Sequence, residues 1–373
     1  MATLIFKPTE ACNSRCIYCE VVKKKTRGPK HMTFKTLELL FRRVNEFLLE
    51  RPQEDLEIIW HGGEPLLLGP RYFARALHYQ EKHCSGTVSR IRHSIQSNLT
   101  LLSREFLDPM RKLGVTHIGT SYDPIGNTRG LGKNRDWKTY NQRFLDAICL
   151  LEDEGFTWGV IYVVTQRSLA KPLEIFNFLT NLSPKRGLMF NPVLVHGCGL
   201  DHIKITPNQY AEFLGTIFPV WWRHRHEFGR IEPFFSLTEN LVGDRKYLIC
   251  TDAGACADSH LAVLPDGSAS LCGRSADCGL LDYGSIHEKS FSQIFADPQR
   301  EALRRRLVVL PETACKGCRF WDICHGGCPL DGWFAGGSFR HKSEWCQAKK
   351  GLIEKYLEPI INQRIVRAEP YSA

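Results

Sequence analysis

A chain of 373 residues with 43% hydrophobic and 24% charged residues can bury one large core plus a smaller module, and this composition excludes a disordered chain. The net charge of +9 is scattered, with Arg304, Arg305 and Arg306 beside Arg300 reading as a solvated helix face; a nucleic-acid partner is not expected, although basic walls could attract an acidic peptide or a cofactor carboxylate. Met1 to Pro8 lacks the pattern of a secretory signal and no run reaches membrane-spanning length, so no membrane partner and a cytoplasmic location are expected, where fifteen cysteines point to metal or cluster ligation rather than disulfides.

From residue 3 to about residue 225, short β-rich runs alternate with longer segments of helical period, the pattern of a parallel sheet wrapped by helices. The expected strands are Thr3 to Lys7, Leu56 to Trp60, Ile91 to Gln96, His117 to Ser121, Trp158 to Val164 and Leu188 to Leu194. Amphipathic stretches such as Thr33 to Leu49, Tyr72 to His83, Thr139 to Glu154 and Lys171 to Leu182 should cover the sheet, and Pro207 to Glu227 reads as a further helix. The texture then changes to short strands, turns and cysteines, which places a boundary near residue 235. Cys250 to Cys346 shows too little apolar periodicity for a core of its own, so clusters are expected to hold it together, and Gln347 to Arg364 reads as a closing helix.

Just past the first strand stands Cys12-Asn-Ser-Arg-Cys16-Ile-Tyr-Cys19, where the carboxyl ends of parallel strands place ligands. Three thiolates can hold a four-iron cubane and leave one iron open to chelation by a small molecule, whereas a structural zinc normally takes four protein ligands. Gly62 and Gly63 after the second strand permit close backbone approach, and Glu64 offers an acceptor to an ammonium, in the run His61-Gly-Gly-Glu-Pro65. Polar groups close the next strands, as Gln96-Ser97-Asn98 and Ser121-Tyr122-Asp123. This chain resembles the radical S-adenosylmethionine (SAM) superfamily, whose signature is C-x3-C-x-aromatic-C after the first strand, followed by a GGEP element. The resemblance implies a partial (β/α)6 barrel of class α/β spanning residues 1–235. It further implies an iron-sulfur cluster on Cys12, Cys16 and Cys19, and cofactor contacts from Gly62, Gly63, Glu64, Gln96, Ser121 and Asp123, with Arg129 or Arg135 reaching the cofactor carboxylate.

The last third carries Cys250-x5-Cys256, Cys272, then Cys315-x2-Cys318-x5-Cys324-x3-Cys328, and Cys346. Eight cysteines suffice for two fully ligated four-iron clusters, although C-x2-C suits zinc ribbons equally well when read alone. The arrangement resembles the SPASM extension of peptide-modifying radical SAM enzymes, here spanning residues 236–346 with a closing helix and tail at 347–373. That resemblance assigns Cys250, Cys256, Cys272 and Cys328 to one auxiliary cluster and Cys315, Cys318, Cys324 and Cys346 to the other, making three [4Fe-4S] clusters in all. Cys84 and Cys149 read as packed small hydrophobes, while Cys198 and Cys278 could face the site.

The implied reaction begins with a 5′-deoxyadenosyl radical that takes hydrogen from a peptide or protein substrate, with flavodoxin or ferredoxin as electron donor. In the sulfatase-maturating relatives an aspartate follows the third cysteine of the first auxiliary cluster and acts as base; here Gly273 stands there, with Asp277 a few residues on as a candidate. The departure favours crosslinking of a small ribosomal precursor peptide, as a cyclophane or thioether, over oxidation of Ser or Cys to formylglycine. Eleven residues precede Cys12, too few for a leader-binding module, so leader recognition is expected on the barrel surface or from a separate protein. A zinc-stabilised nucleic-acid-binding protein is the alternative of another class.

Overall fold

The computed structural model describes all residues except 20, 22–29, 126, 185–186, 196–199, 244–245 and 368–373, with backbone alone for 116 and 363–367. Cys198 therefore lies outside the described residues. Among the described residues, ten strands run in chain order as β1 (Ala2–Thr9), β2 (Leu56–Gly62), β3 (Ile91–Ser97), β4 (Val115–Ser121), β5 (Thr157–Val164), β6 (Leu188–Pro192), β7 (Ile231–Glu232), β8 (His260–Val263), β9 (Ser268–Ser270) and β10 (Asp282–Ser285). The larger helices before residue 250 are α1 (Phe34–Glu50), α2 (Pro70–Cys84), α3 (Arg104–Leu113), α4 (Trp137–Asp153), α5 (Pro172–Asn181), α6 (Pro207–His224) and α7 (Phe234–Val242). The fold class is α/β, as expected, and no described helix is long and apolar enough to cross a membrane. Two compact units result, the first comprising residues 1–122, 127–159 and 255–304, the second 123–126, 160–254 and 305–373.

In the first unit the strand order is β10-β9-β8-β1-β2-β3-β4. β1 to β4 pair in parallel with their neighbours, which a strand-helix-strand succession requires. Alternation decides the faces: Leu4, Phe6, Ile58 and Trp60 are buried, and Trp60 stacks on Phe73 of α2 at 4.6 Å and meets Phe6 edge-on at 4.8 Å. The Trp60 indole donates to His93 Nδ1 at 3.0 Å, and the opposite ring nitrogen, which must then carry the proton, meets Gln80 Oε1 at 2.7 Å. Burial holds that imidazole neutral, with its pKa lowered to about 3. α1 starts where the Thr33 hydroxyl accepts from the Thr36 amide at 3.2 Å, and α4 where Asp136 accepts from Thr139 at 3.1 Å.

The line between the units departs from the boundary expected near residue 235, because β8 pairs in parallel with β1, from Thr3↔His260 to Phe6↔Val263, and draws residues 255–304 into the first unit. These residues have apolar packing after all. Leu261, Ala262, Val263, Tyr283, Ile286, Ile294 and Phe295 are buried, and Phe295 stacks on Phe47 of α1 at 5.5 Å. Arg300, expected on a solvated face, is fully buried; it donates to the carbonyls of Ala257, His260 and Ile294 and lies over the Tyr283 ring at 4.4 Å. Its helical spacing from Arg304 suggested solvent, whereas carbonyls at the ends of short elements need donors that only a fork of N–H groups reaches.

The second unit pairs β5-β6-β7 in parallel. A Thr206/Gln209 capping box opens α6, whose Phe218 and Trp221 pack with Phe234 of α7. Gly215 lies against Tyr356, whose ring a Cβ would overlap. The closing helix runs as Cys346–Leu352, a π-helical turn Ile353–Leu357, and Glu358–Arg367. Arg306 is again buried rather than solvated, and its guanidinium donates to the carbonyls of Gly326, Gly327, Phe339 and His341.

Candidate functional site

Cys12, Cys16 and Cys19 follow β1 directly, and the loop they occupy is fixed by its backbone. The amides of Arg15 and Ile17 donate to the carbonyls of Gly130 and Thr128, each at 2.9 Å, and Gly132 donates back to Asn13 at 2.8 Å. On the other side, Gly63 donates to Thr9 and Glu64 to Ala11, both at 2.8 Å. This explains the two glycines differently from the expectation. The close approach that they permit is to β1 and the cysteine loop, since a Cβ at Gly62 would overlap the Thr9 carbonyl oxygen and one at Gly63 that of Ala11.

The Glu64 side chain is fully buried and accepts from the Asn98 amide at 2.7 Å, the Ser97 hydroxyl at 2.8 Å and the Leu66 amide at 2.9 Å. Burial nevertheless pushes its carboxyl up to about 7. The Asn98 amide group in turn reaches Asn13 Oδ1 at 2.9 Å and Cys12 Sγ at 3.9 Å. Glu64 therefore ties the end of β3 to the cysteine loop in addition to whatever it offers an ammonium. Asn98, seen in the sequence only as part of a polar strand end, is the link between them.

Gln96 donates to the Ser121 hydroxyl at 3.3 Å, joining two expected contacts at neighbouring strand ends. Asp123 is buried and belongs to the second unit, where its charge helps push the Tyr162 phenol upward after burial. The two candidate arginines separate. Arg129 is half-buried, lies over the Tyr18 ring at 5.4 Å and donates to the Tyr140 hydroxyl at 3.4 Å, whereas Arg135 is exposed.

Burial pushes the Cys12 thiol up to about 12, and the charges of Glu64, Cys16 and Cys19 add to the rise. Three thiols in electrostatic reach of one another, beside a buried carboxyl, disfavour thiolates until a cationic group neutralises them. Among the described residues, no three Cys, His, Asp or Glu side chains group as ligands of a single metal ion. A donor set of three cysteine thiols is of the kind that an iron-sulfur cluster takes.

Of the remaining cysteines, Cys256 and Cys272 both raise the buried Tyr283 phenol, behind the larger effect of burial itself. They belong to the first unit, Cys250 and Cys328 to the second. Cys315, Cys318, Cys324 and Cys346 all lie in the second unit, and the last three add to the rise that burial causes in the Cys315 thiol. None of the described cysteines forms a disulfide. Cys84 is buried as expected, with its thiol donating to the Phe41 carbonyl at 3.3 Å, but Cys149 is exposed, because it falls on the solvent side of α4. Cys278 is half-buried.

Asp277 ends the short helix Gly273–Asp277 and pairs with Lys7 of β1, a side chain with 0% exposure. Glu10 lies 3.8 Å from the same ammonium. His61 Nδ1 accepts from the Gly62 amide at 2.8 Å, and burial with the Lys7 charge lowers the ring to about 4, so it stays neutral. Lys7 was not singled out from the sequence, although a lysine in an otherwise apolar strand was a usable signal.

Residues 6–179 match the Radical SAM superfamily and residues 255–319 the SPASM iron-sulfur cluster-binding domain. The chain is 27% identical to a serine-type anaerobic sulfatase-maturating enzyme of Bacteroides thetaiotaomicron, over 87% of this chain and 82% of that one. It is 24% identical to a cysteine-type anaerobic sulfatase-maturating enzyme of Clostridium perfringens, over 96% of this chain and 97% of the relative. Among solved structures, native anSMEcpe with bound AdoMet shares the fold with a TM-score of 0.82 at 22% identity, covering 98% of this chain and 99% of that one. SuiB of Streptococcus suis bound to precursor peptide SuiA shares it at 0.61 and 16% identity, covering 93% of this chain and 76% of that one. A cysteine loop strapped to the ends of parallel strands, followed by a second iron-sulfur region, places this chain in the radical SAM superfamily, among its members with a SPASM domain.

Proposed function

We propose that this enzyme oxidises a serine or cysteine side chain of a peptide or protein substrate to formylglycine. The observation that carries the reading is likeness along nearly the whole chain to both serine-type and cysteine-type sulfatase-maturating enzymes. Three [4Fe-4S] clusters are proposed, held by Cys12, Cys16 and Cys19, by Cys250, Cys256, Cys272 and Cys328, and by Cys315, Cys318, Cys324 and Cys346. The last two sets define a cysteine region over residues 236–346. Flavodoxin or ferredoxin is proposed as the electron donor.

With its cluster and SAM bound, the loop supplies a carbon radical that takes one hydrogen atom from the substrate carbon. The substrate would then give up one electron, for which a cluster at the later cysteines would serve as acceptor, and one proton, so that a serine carbinol becomes an aldehyde. Cysteine passes through a thioaldehyde that water hydrolyses with release of sulfide. In this role Gly62, Gly63 and Glu64 hold the loop and receive the cofactor amine, Gln96, Ser121 and Asp123 line the cofactor, and Arg129 takes its carboxylate.

Asp277 is proposed as the proton acceptor. A Cβ at Gly273 would lie 3.3 Å from Ile5 of β1, and one helical turn later Asp277 meets Lys7, two residues further along the same face of the strand. The carboxylate is thereby moved along β1 toward the cysteine loop. Lys7 pairs with it, and burial together with the Lys7 charge holds His61 neutral.

Reconstituted enzyme incubated with serine-containing and cysteine-containing peptides tests the reading: the expected product has the aldehyde mass and reacts with a hydrazine. Asp277→Asn should keep 5′-deoxyadenosine formation while peptide oxidation falls about 100-fold. The crosslink, cyclophane or thioether, is a second reading favoured by Gly273 standing where an aspartate is expected. A product two hydrogens lighter with no carbonyl reactivity would establish it instead.

A further inference from the structure

A buried ion pair joins three cysteine-bearing segments of the second unit. Lys349 lies on the first turn of the helix that Cys346 opens, and its ammonium pairs with Asp252, two residues after Cys250. The Asp252 side chain is 5% exposed and that of Lys349 19%. The carbonyl of Asp252 accepts from the ring of His325, the residue after Cys324, at 2.7 Å. Both charges thus stand beside Cys324 and Cys346, where the low dielectric of a buried site leaves them weakly screened.

Four thiolates leave an iron-sulfur cluster net negative, and reduction adds another negative charge. A fixed ammonium beside the ligands favours the reduced form, and a carboxylate disfavours it. We infer that Lys349 and Asp252 are positioning charges of opposite sign that set the reduction potential of a cluster on Cys315, Cys318, Cys324 and Cys346. Lys349 makes that cluster the easier to reduce, as an acceptor of the substrate's electron must be, and Asp252 limits the effect. The inference rests on the proposed cluster at these four cysteines but not on which peptide is oxidised.

Redox titration of the full chain without peptide, followed by electron paramagnetic resonance, tests it. Lys349→Met should shift the reduction equilibrium of one centre about tenfold toward the oxidised form, about 59 mV for a one-electron couple. Asp252→Asn should move the same centre the opposite way, and Lys349→Arg should leave it near the wild type. Lys342, exposed and acting on Cys315, provides a surface variant that keeps the fold: Lys342→Met should give a smaller shift in the direction of Lys349→Met. Shifts of the same sign for Lys349→Met and Asp252→Asn, or no shift in any variant, would overturn the inference. So would a responding centre that survives replacement of Cys315 and Cys324 by Ala. Failure to oxidise serine or cysteine peptides would leave these potentials unaffected and would sink only the proposed reaction.

Discussion

The two cysteine regions are held in place by different means. The N-terminal loop is strapped by main-chain bonds to residues 128–132, the residues just before it by main-chain bonds from Gly63 and Glu64 to Thr9 and Ala11, and Asn98 and Thr100 add side-chain ties to Asn13. The loops around Cys324 and Cys328 are braced instead by a buried side chain, Arg306, which collects the carbonyls of Gly326, Gly327, Phe339 and His341, alongside the bond of His325 to the Asp252 carbonyl. On the proposed reading the backbone-strapped site admits a small molecule. The guanidinium-braced site is the one proposed to hold a closed centre that exchanges only electrons.

The largest effect expected is on chemistry. Replacing Cys12, Cys16 and Cys19 together by Ala should abolish 5′-deoxyadenosine formation while iron and sulfide persist at the C-terminal cysteines. Retained SAM cleavage in that variant would remove the distinction between an open and a closed site. Arg306→Met should strand the carbonyls of Gly327, Phe339 and His341, since that of Gly326 keeps the Ser343 amide, and cost roughly 3–5 kcal/mol, read by urea unfolding and by iron content. An unchanged midpoint would show that the brace is dispensable. Gly63→Ala should cost about 3 kcal/mol, because the loop must shift away from a new methyl group, and SAM cleavage should fall with it. A variant of wild-type activity would mean that the strap is not needed.

The smallest effect concerns pH and the anchoring of the first unit. His93 has a folded pKa of about 3 against 6.5 for the free side chain. Its neutral form is the one that folds, so its contribution is complete above pH 6.5 and is lost as pH falls toward 3. Roughly 2 kcal/mol should disappear between pH 6.5 and about pH 5. Unfolding curves at the two pH values check this, and His93→Gln should flatten the difference. A stability in the wild type that does not change over that range would show that His93 is not held neutral.

Periodicity located β1 to β6 to within about two residues at most ends, and it located most of the helices that cover them, because alternation and amphipathic spacing are local properties of the chain. It did not locate β8 beside β1. Thr3↔His260 joins residues far apart in sequence, and no local pattern in a run as short as His260–Val263 indicates a partner. Arg300 and Arg306 looked solvated for a related reason: composition counts their charge but cannot see the carbonyls that surround them.

The sequence by itself determined the chemistry available: the spacing of Cys12, Cys16 and Cys19, the glycines and glutamate after β2, and the later cysteines are covalent facts that survive any fold. Only the tertiary structure decided that Glu64 and Asn98 fasten the cysteine loop, that Arg129 rather than Arg135 lies beside Tyr18, and that Asp277 meets Lys7. Each of these depends on desolvation and on contacts between distant segments, and burial is a property that no residue possesses until the chain has folded around it.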